Sequence, residues 1–232
     1  KKAEQELKNR YESLENKYDK FLAENYDYKA NTYETNKINL LSNPTSLYAK
    51  QPTVYYGLMY LAKNAKKEVK IHTPYIICND YMYNELKNIK VPTTIMTNSA
   101  ENNGNIFGAV DYLNHKKDII NTGVTIKEYE GGISYHGKSM TIDDDIAIVG
   151  SFNMDMRSAY IDTELMLVIN SKDINKQLKA SMEEYEKKAA TVKNETEYSH
   201  IPEGMKMKEL SDKKKNIKAW FGWAMNGLRF LF

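Results

Sequence analysis

The chain has 232 residues, of which 41% are hydrophobic, enough for one large domain or for a domain with extensions around a real core. Its 33 basic and 31 acidic residues leave a formal charge of +2, so bulk charge does not argue for a nucleic acid partner. The single Cys78 excludes an internal disulfide framework and a cysteine-rich zinc site, and no His, Cys and carboxylate cluster has metal-ligand spacing. Neither a catalytic metal nor another cofactor is expected.

Residues 1–25 are charged, with Leu7, Tyr11, Leu14, Tyr18 and Leu22 at helical spacing. That pattern predicts an amphipathic helix packed on the core or joining two halves. Residues 26–51 are polar and read as irregular, so 1–50 is expected to form an N-terminal extension or linker. Pro52-Thr53 opens a helix to about Lys66, with lysines in the last turn, where the helix dipole favours them. Strand and helix segments then alternate: strand 68–73, helix 80–89, strand 93–97, helix 106–121, strand 124–129, a hairpin from Tyr135 to Val149, and strand 163–169. A charged amphipathic helix from Lys172 to Lys193 closes the domain, expected at 51–195. Alternation of this kind implies an α/β fold, a mixed β-sheet flanked by helices on both faces, with amphipathic helices at the two termini.

Residues 196–232 are expected to form a basic, aromatic helix. Lys213-Lys214-Lys215-Asn216-Ile217-Lys218 precedes a run containing Trp220, Phe221, Trp223, Phe230 and Phe232. The apolar run is too short to span a bilayer, which takes ~20 residues. Two readings stay open: an interfacial helix on an anionic membrane surface, or a terminal helix docked on the protein's own core.

The most informative stretch runs from His136 to Asn153. Alternation puts His136, Lys138 and Met140 on one face of an extended segment. Asp143-Asp144-Asp145 is a polar turn, Ile146 to Val149 a short buried strand, and Gly150-Ser151 a turn into Phe152-Asn153. Such a hairpin can bring Ser151 and Asn153 beside His136 and Lys138. A neutral histidine can attack phosphorus, and an ammonium, hydroxyl and carboxamide can hold the non-bridging oxygens as charge builds. Glu164, a carboxylate on a mostly apolar strand, needs a partner. His72, His115 and His200 lie in no comparable constellation and read as structural.

The spacing His-x-Lys-x4-Asp followed by Gly-Ser-x-Asn resembles the HKD motif of the phospholipase D superfamily. The likeness extends over roughly residues 50 to 190, through Thr73-Pro74-Tyr75, Thr97-Asn98-Ser99 and Asp155-Met156-Arg157-Ser158. It is greatest to the carboxyl-terminal half of a bacterial cardiolipin synthase. The resemblance implies His136, Lys138, Asn153, Glu164, Ser151 and Asp143 as site residues. Glu164 would orient the motif histidine through its other ring nitrogen, and Asp143 would be a structural ion-pair residue. Tyr75, Asn98 and Ser99 would line the substrate side. Most relatives carry two such motifs, and this sequence has one. A second motif is therefore expected from a missing N-terminal half or from a homodimer partner. Asparagines in Ala100 to Asn105, where many relatives carry an aspartate, leave headgroup preference open.

The function implied is transfer of a phosphatidyl group from phosphatidylglycerol to a lipid alcohol through a phosphohistidine, at the cytoplasmic face of the cell membrane, either peripherally or attached through a missing N-terminal part. The partners implied are a phospholipid substrate and an anionic membrane surface, without nucleic acid. The alternative is a phosphodiesterase, nuclease or phospholipase D hydrolase using the same histidine with water as acceptor.

Overall fold

The computed structural model describes residues 2–23, 27, 29–30, 32–46, 48–224, 227 and 229–231, with side chains at all of these except 15–23 and 220–224. Tyr18 and Leu22 of the first amphipathic pattern, and Trp220, Phe221, Trp223 and Phe232 of the last, fall outside the described side chains. The chain divides into two units, residues 1–34 and 35–232. The first holds one helix, α1 (Lys2–Ala23).

In the second unit a nine-stranded mixed sheet runs in the order β1-β9-β7-β6-β2-β4-β5-β10-β11. Its parallel centre is β2 (Val69–His72), β4 (Thr93–Asn98) and β5 (Thr125–Tyr129). The connections between these three carry α3 (Asp80–Lys87) and α4 (Ile106–Ile120). On one side β6 (Ser139–Ile142), β7 (Ile146–Gly150), β9 (Leu165–Asn170) and β1 (Lys37–Ser42) add antiparallel. On the other side β10 (Ala189–Val192) and β11 (Tyr198–His200) complete the sheet.

The period-two pattern of β2 separates the two faces. Val69 and Ile71 enter the main core with Leu58 and Met59 of α2 (Thr53–Lys63). Lys70 and His72 turn the other way, toward Glu183 and Glu186 of α6 (Lys172–Glu186). Helices thus cover both faces, as the alternation of apolar segments required.

The parallel pairing of β2 and β4 and the antiparallel pairing of β2 with β6 set the C-terminal ends of β2 and β4 beside the start of β6. The β6–β7 and β7–β9 registers bring Gly150 and Leu165 to that same end. A separate two-stranded parallel ribbon, β3 (Ile76–Ile77) with β8 (Met154–Asp155), ties the loop after β2 to the segment after Asn153.

Three elements differ from the sequence reading. Residues 26–51 contain β1, an edge strand held by pairing with β9 from Lys37↔Asn170 to Ser42↔Leu165. The helix expected to reach Lys193 ends at Glu186, and Ala189 to Thr191 pairs with β5. Residues 198–200 form β11 rather than part of a helix; the helix of that region is α7 (Asp212–Ala224). The sheet therefore reaches outside 51–195 at both edges.

Candidate active site

The cluster forms where the C-terminal ends of the parallel strands meet the motif hairpin, the end at which open α/β sheets carry ligands. His136 and Lys138 lie on the extended segment leading into β6, where the Lys138 carbonyl accepts the Gly150 N–H at 3.3 Å. His136 is exposed and Lys138 half-buried. The Lys138 ammonium lies 3.1 Å from His136 Nδ1 and donates to the His136 carbonyl at 2.9 Å. Partial burial and the Lys138 charge hold the imidazole below its ordinary value, which favours the neutral ring. Burial also lowers the Lys138 ammonium, opposed by the charges of Glu164 and Asp155.

Gly150 ends β7 where a Cβ would sit 2.1 Å from the Leu165 carbonyl, so only glycine permits this approach of β7 to β9. The approach sets Ser151 against Glu164. The Ser151 hydroxyl donates to Glu164 Oε2 and accepts from the Leu165 N–H at 3.0 Å. Glu164, 6% exposed, receives a second hydroxyl, that of Ser158, on Oε1 at 2.9 Å. Ser158 Oγ also accepts from Asn153, at 3.2 Å from Nδ2 and 3.3 Å from the backbone N–H.

Ser158 lies on α5 (Met156–Tyr160), whose N-cap is Asp155. The cap carboxylate accepts the Ser158 N–H at 2.5 Å. Burial, with the charges of Glu164 and Asp162, pushes the Asp155 carboxyl up to about 6 despite its bonds from Ser158. Tyr75 is half-buried on the neighbouring loop. Its phenol is raised by burial and by the charges of Asp155 and Glu164, against a hydrogen bond from Asn105.

The arrangement is a nucleophile-capable imidazole with an ammonium, a carboxamide and two hydroxyls around one buried carboxylate. Among protein families, the model for the cardiolipin synthase, phospholipase D-like domain matches residues 58–185. The chain belongs to that family. Cardiolipin synthase 1 of Staphylococcus epidermidis is 30% identical over 159 residues, covering 67% of this chain and 32% of that protein. Cardiolipin synthase 1 of Staphylococcus aureus is 26% identical over 192 residues, covering 79% and 38% respectively. The chain thus spans about a third of the length of these curated relatives.

Two solved structures share the fold. Phosphatidylserine synthase of Haemophilus influenzae superposes with a TM-score of 0.61 at 16% identity, over 84% of this chain and 48% of that one. Nuc of Salmonella typhimurium, a phospholipase D family member, superposes with a TM-score of 0.54 at 16% identity, over 67% and 97%.

Within this phospholipase D-like domain, several residues play parts other than those expected. Both Glu164 oxygens meet serine hydroxyls, and among the described residues the His136 Nδ1 partner is Lys138, not Glu164. Asp143 sits in the turn at the far end of β6, about 20 Å from His136 at roughly 3.3 Å per extended residue. Among the described residues its carboxylate forms no ion pair there but accepts the backbone N–H groups of Lys66, Lys67 and Glu68 at 2.7–3.2 Å.

Asn98 is 1% exposed. Its Nδ2 donates to the carbonyls of Pro74 (2.8 Å) and Tyr135 (2.9 Å). Its Oδ1 accepts from the Tyr135 N–H (2.8 Å) and from Asn102 (3.1 Å). All its hydrogen-bonding positions are used internally. Ser99 is likewise buried, donating to Glu130 at 2.5 Å and accepting from the Asn102 N–H. Neither side chain is open to substrate. Asn98 instead grips both backbone groups of the residue before His136.

The motif reading missed Ser158 and Asp155 as parts of the site. The signal was present as Asp155-x-x-Ser158, the spacing of an N-cap and the N–H it binds. His72, read as structural, is 1% exposed, with Nδ1 3.2 Å from the Tyr135 hydroxyl and Nε2 3.2 Å from Glu186. Burial lowers its imidazole in spite of that carboxylate.

Proposed function

We propose that this domain transfers a phosphatidyl group from phosphatidylglycerol, or a related phospholipid, to the hydroxyl of a second lipid. The observation that carries the reading is the convergence of His136, Lys138, Asn153, Ser151 and Glu164 at one end of the sheet. The similarity to proteins named cardiolipin synthase supports the substrate class.

In this reading an imidazole nitrogen attacks phosphorus and the bond to the first alcohol breaks, leaving a phosphatidyl-histidine. A second histidine protonates the departing alkoxide, then deprotonates the incoming hydroxyl as that oxygen attacks and the P–N bond breaks. The second motif comes from the rest of a longer chain or from a second copy. His136 serves as nucleophile or as its acid–base partner.

Lys138 exchanges its contacts with His136 for a non-bridging phosphate oxygen when a phosphodiester binds. The exchange frees Nδ1 and places the ammonium where negative charge develops. Asn153 and Ser151 hold further oxygens. Glu164 acts on this set through Ser151 and Ser158 and through its charge on Lys138.

The reaction exchanges one phosphodiester for another and has little driving force, so the intermediate must be kept from water. Among the described residues no helix is long and apolar enough to cross a membrane. The domain meets its lipid at an anionic surface on the cytoplasmic face, peripherally or attached through another part of a longer chain. The exposure of His136 favours one alternative, hydrolysis with water as acceptor.

Product analysis separates these readings. The full natural protein is incubated with phosphatidylglycerol vesicles and the lipids are identified. Cardiolipin is the expected product. Phosphatidic acid would assign water as the acceptor, and unchanged lipid beside a cleaved oligonucleotide would assign a nuclease.

A further inference from the structure

We propose that Ser158 is a positioning residue that sets which end of the Asn153 carboxamide faces the phosphodiester. The inference rests on the phosphodiester-transfer reading above and goes beyond it to a residue that the motif does not contain.

Glu164 in its carboxylate form only accepts hydrogen bonds. Its Oε1 lies 2.9 Å from Ser158 Oγ, so the single hydroxyl proton of Ser158 is committed to Glu164. Only lone pairs remain on Ser158 Oγ, and a lone pair can face only a donor. The amide end facing it, at 3.2 Å, must therefore be the NH2 of Asn153. The carboxamide oxygen then points away, and Asn153 Oδ1 is buried with no partner among the described residues. The second Nδ2 hydrogen is left for a phosphate oxygen.

Ser158 is itself fixed on every side. It is fully buried, its N–H is held by Asp155, and its carbonyl accepts Asn43 Nδ2 at 2.7 Å. A hydroxyl so constrained transmits the polarity of Glu164 to Asn153. Without it the amide has no reason to prefer the donating orientation, and a flip presents an oxygen to the anionic substrate.

The test is a double-mutant cycle in the full natural protein, measured as lipid turnover on phosphatidylglycerol vesicles, with melting followed for each variant. S158A is expected to lower kcat about 10- to 100-fold with KM changed less than about twofold, the scale of a misplaced reacting group. In the N153A background the same change should alter kcat by less than about twofold, because the group it orients is gone. An equal loss in both backgrounds would show a general structural effect and overturn the proposal, as would wild-type kcat in S158A. Should S158A fail to fold, S158C keeps the volume with a weak donor and acceptor, and is expected to show the same non-additivity.

A readout independent of turnover is the side-chain amide of Asn153, labelled with 15N and assigned by its loss in N153A. S158A or S158C should shift that amide pair and speed its hydrogen exchange; an unchanged pair would overturn the proposal. A wild-type protein with no phosphodiester turnover but a perturbed amide would instead fail the functional reading and leave the orientation by Ser158 standing.

Discussion

The aspartate that gives the motif its third letter should matter for stability and not for chemistry. Asp143 has φ 52°, a left-handed conformation that Asp and Asn tolerate better than most residues. Its carboxylate accepts three successive backbone N–H groups, from Lys66, Lys67 and Glu68. Lys66 and Lys67 are exposed, so water recovers part of each lost bond. Three bonds at roughly 0.5–1 kcal/mol each give about 2 kcal/mol. Forcing alanine into the left-handed region adds about 1–2 kcal/mol. Asp143→Ala should therefore destabilise by about 3–4 kcal/mol, lowering Tm by roughly 6–15 °C for a body of this size. Asp143→Asn keeps the left-handed preference and one acceptor oxygen, and should cost only about 1 kcal/mol. Urea unfolding followed by far-UV circular dichroism measures both values, and turnover per folded molecule should stay within about twofold of wild type. A fall in kcat of tenfold or more in Asp143→Asn without loss of stability would refute the reasoning. The pH sign follows from the same contacts. Burial alone would raise the Asp143 carboxyl, but the three N–H bonds hold it below its ordinary 3.8. Its contribution is thus complete above that value and fades as pH falls through the lowered one.

Three further outcomes are expected. Asn98→Ala removes the clamp on Tyr135 and leaves buried backbone groups unpaired, so it should cost about 2–4 kcal/mol and lower kcat about 100-fold. Weakened substrate binding with normal kcat and normal stability in that variant would restore the substrate-contact role. Glu164→Gln adds a donor where Ser151 and Ser158 both donate; it should lower kcat by about 10²-fold or more while the fold is kept, as melting and steady-state kinetics will show. His136 should titrate below 6.5 by NMR, so that activity falls on acidification only below that pH if the neutral ring is required. Lys138→Met should move its titration part of the way back, because burial, the larger cause, remains. A His136 titrating above 6.5 would contradict the geometry of its contact with Lys138.

The grouping of the candidate site's residues was legible in part because the motif is local. His136 to Asn153 spans one hairpin and the turn that follows it, and period-two alternation plus a three-aspartate turn specify that hairpin without help from distant chain. The central strands were legible for the same reason, each carrying its own apolar run. What escaped depends on partners far along the chain. Lys37 to Ser42 reads as polar linker, and becomes a strand only because β9 offers it an edge. Ala189-Ala190 follows a charged amphipathic stretch and favours helix by intrinsic propensity. Pairing with β5 and burial of both alanines to 2% or less override that preference. Asn98 was read as a substrate contact because Thr97-Asn98-Ser99 resembles a segment of the family near its site. Its true partner, the backbone of Tyr135, is 37 residues away and leaves no local trace. Glu164 was correctly marked as needing a partner, but sequence could not say that two serines rather than the imidazole would supply it.

The central claim is that His136 carries phosphatidyl transfer. The most direct measurement compares the full natural protein with its His136→Ala variant on phosphatidylglycerol vesicles, by lipid mass spectrometry, with melting followed in parallel. Cardiolipin is expected from the intact protein and none from the variant, at an unchanged Tm. Cardiolipin formed at near wild-type rate by the well-folded variant would contradict that claim.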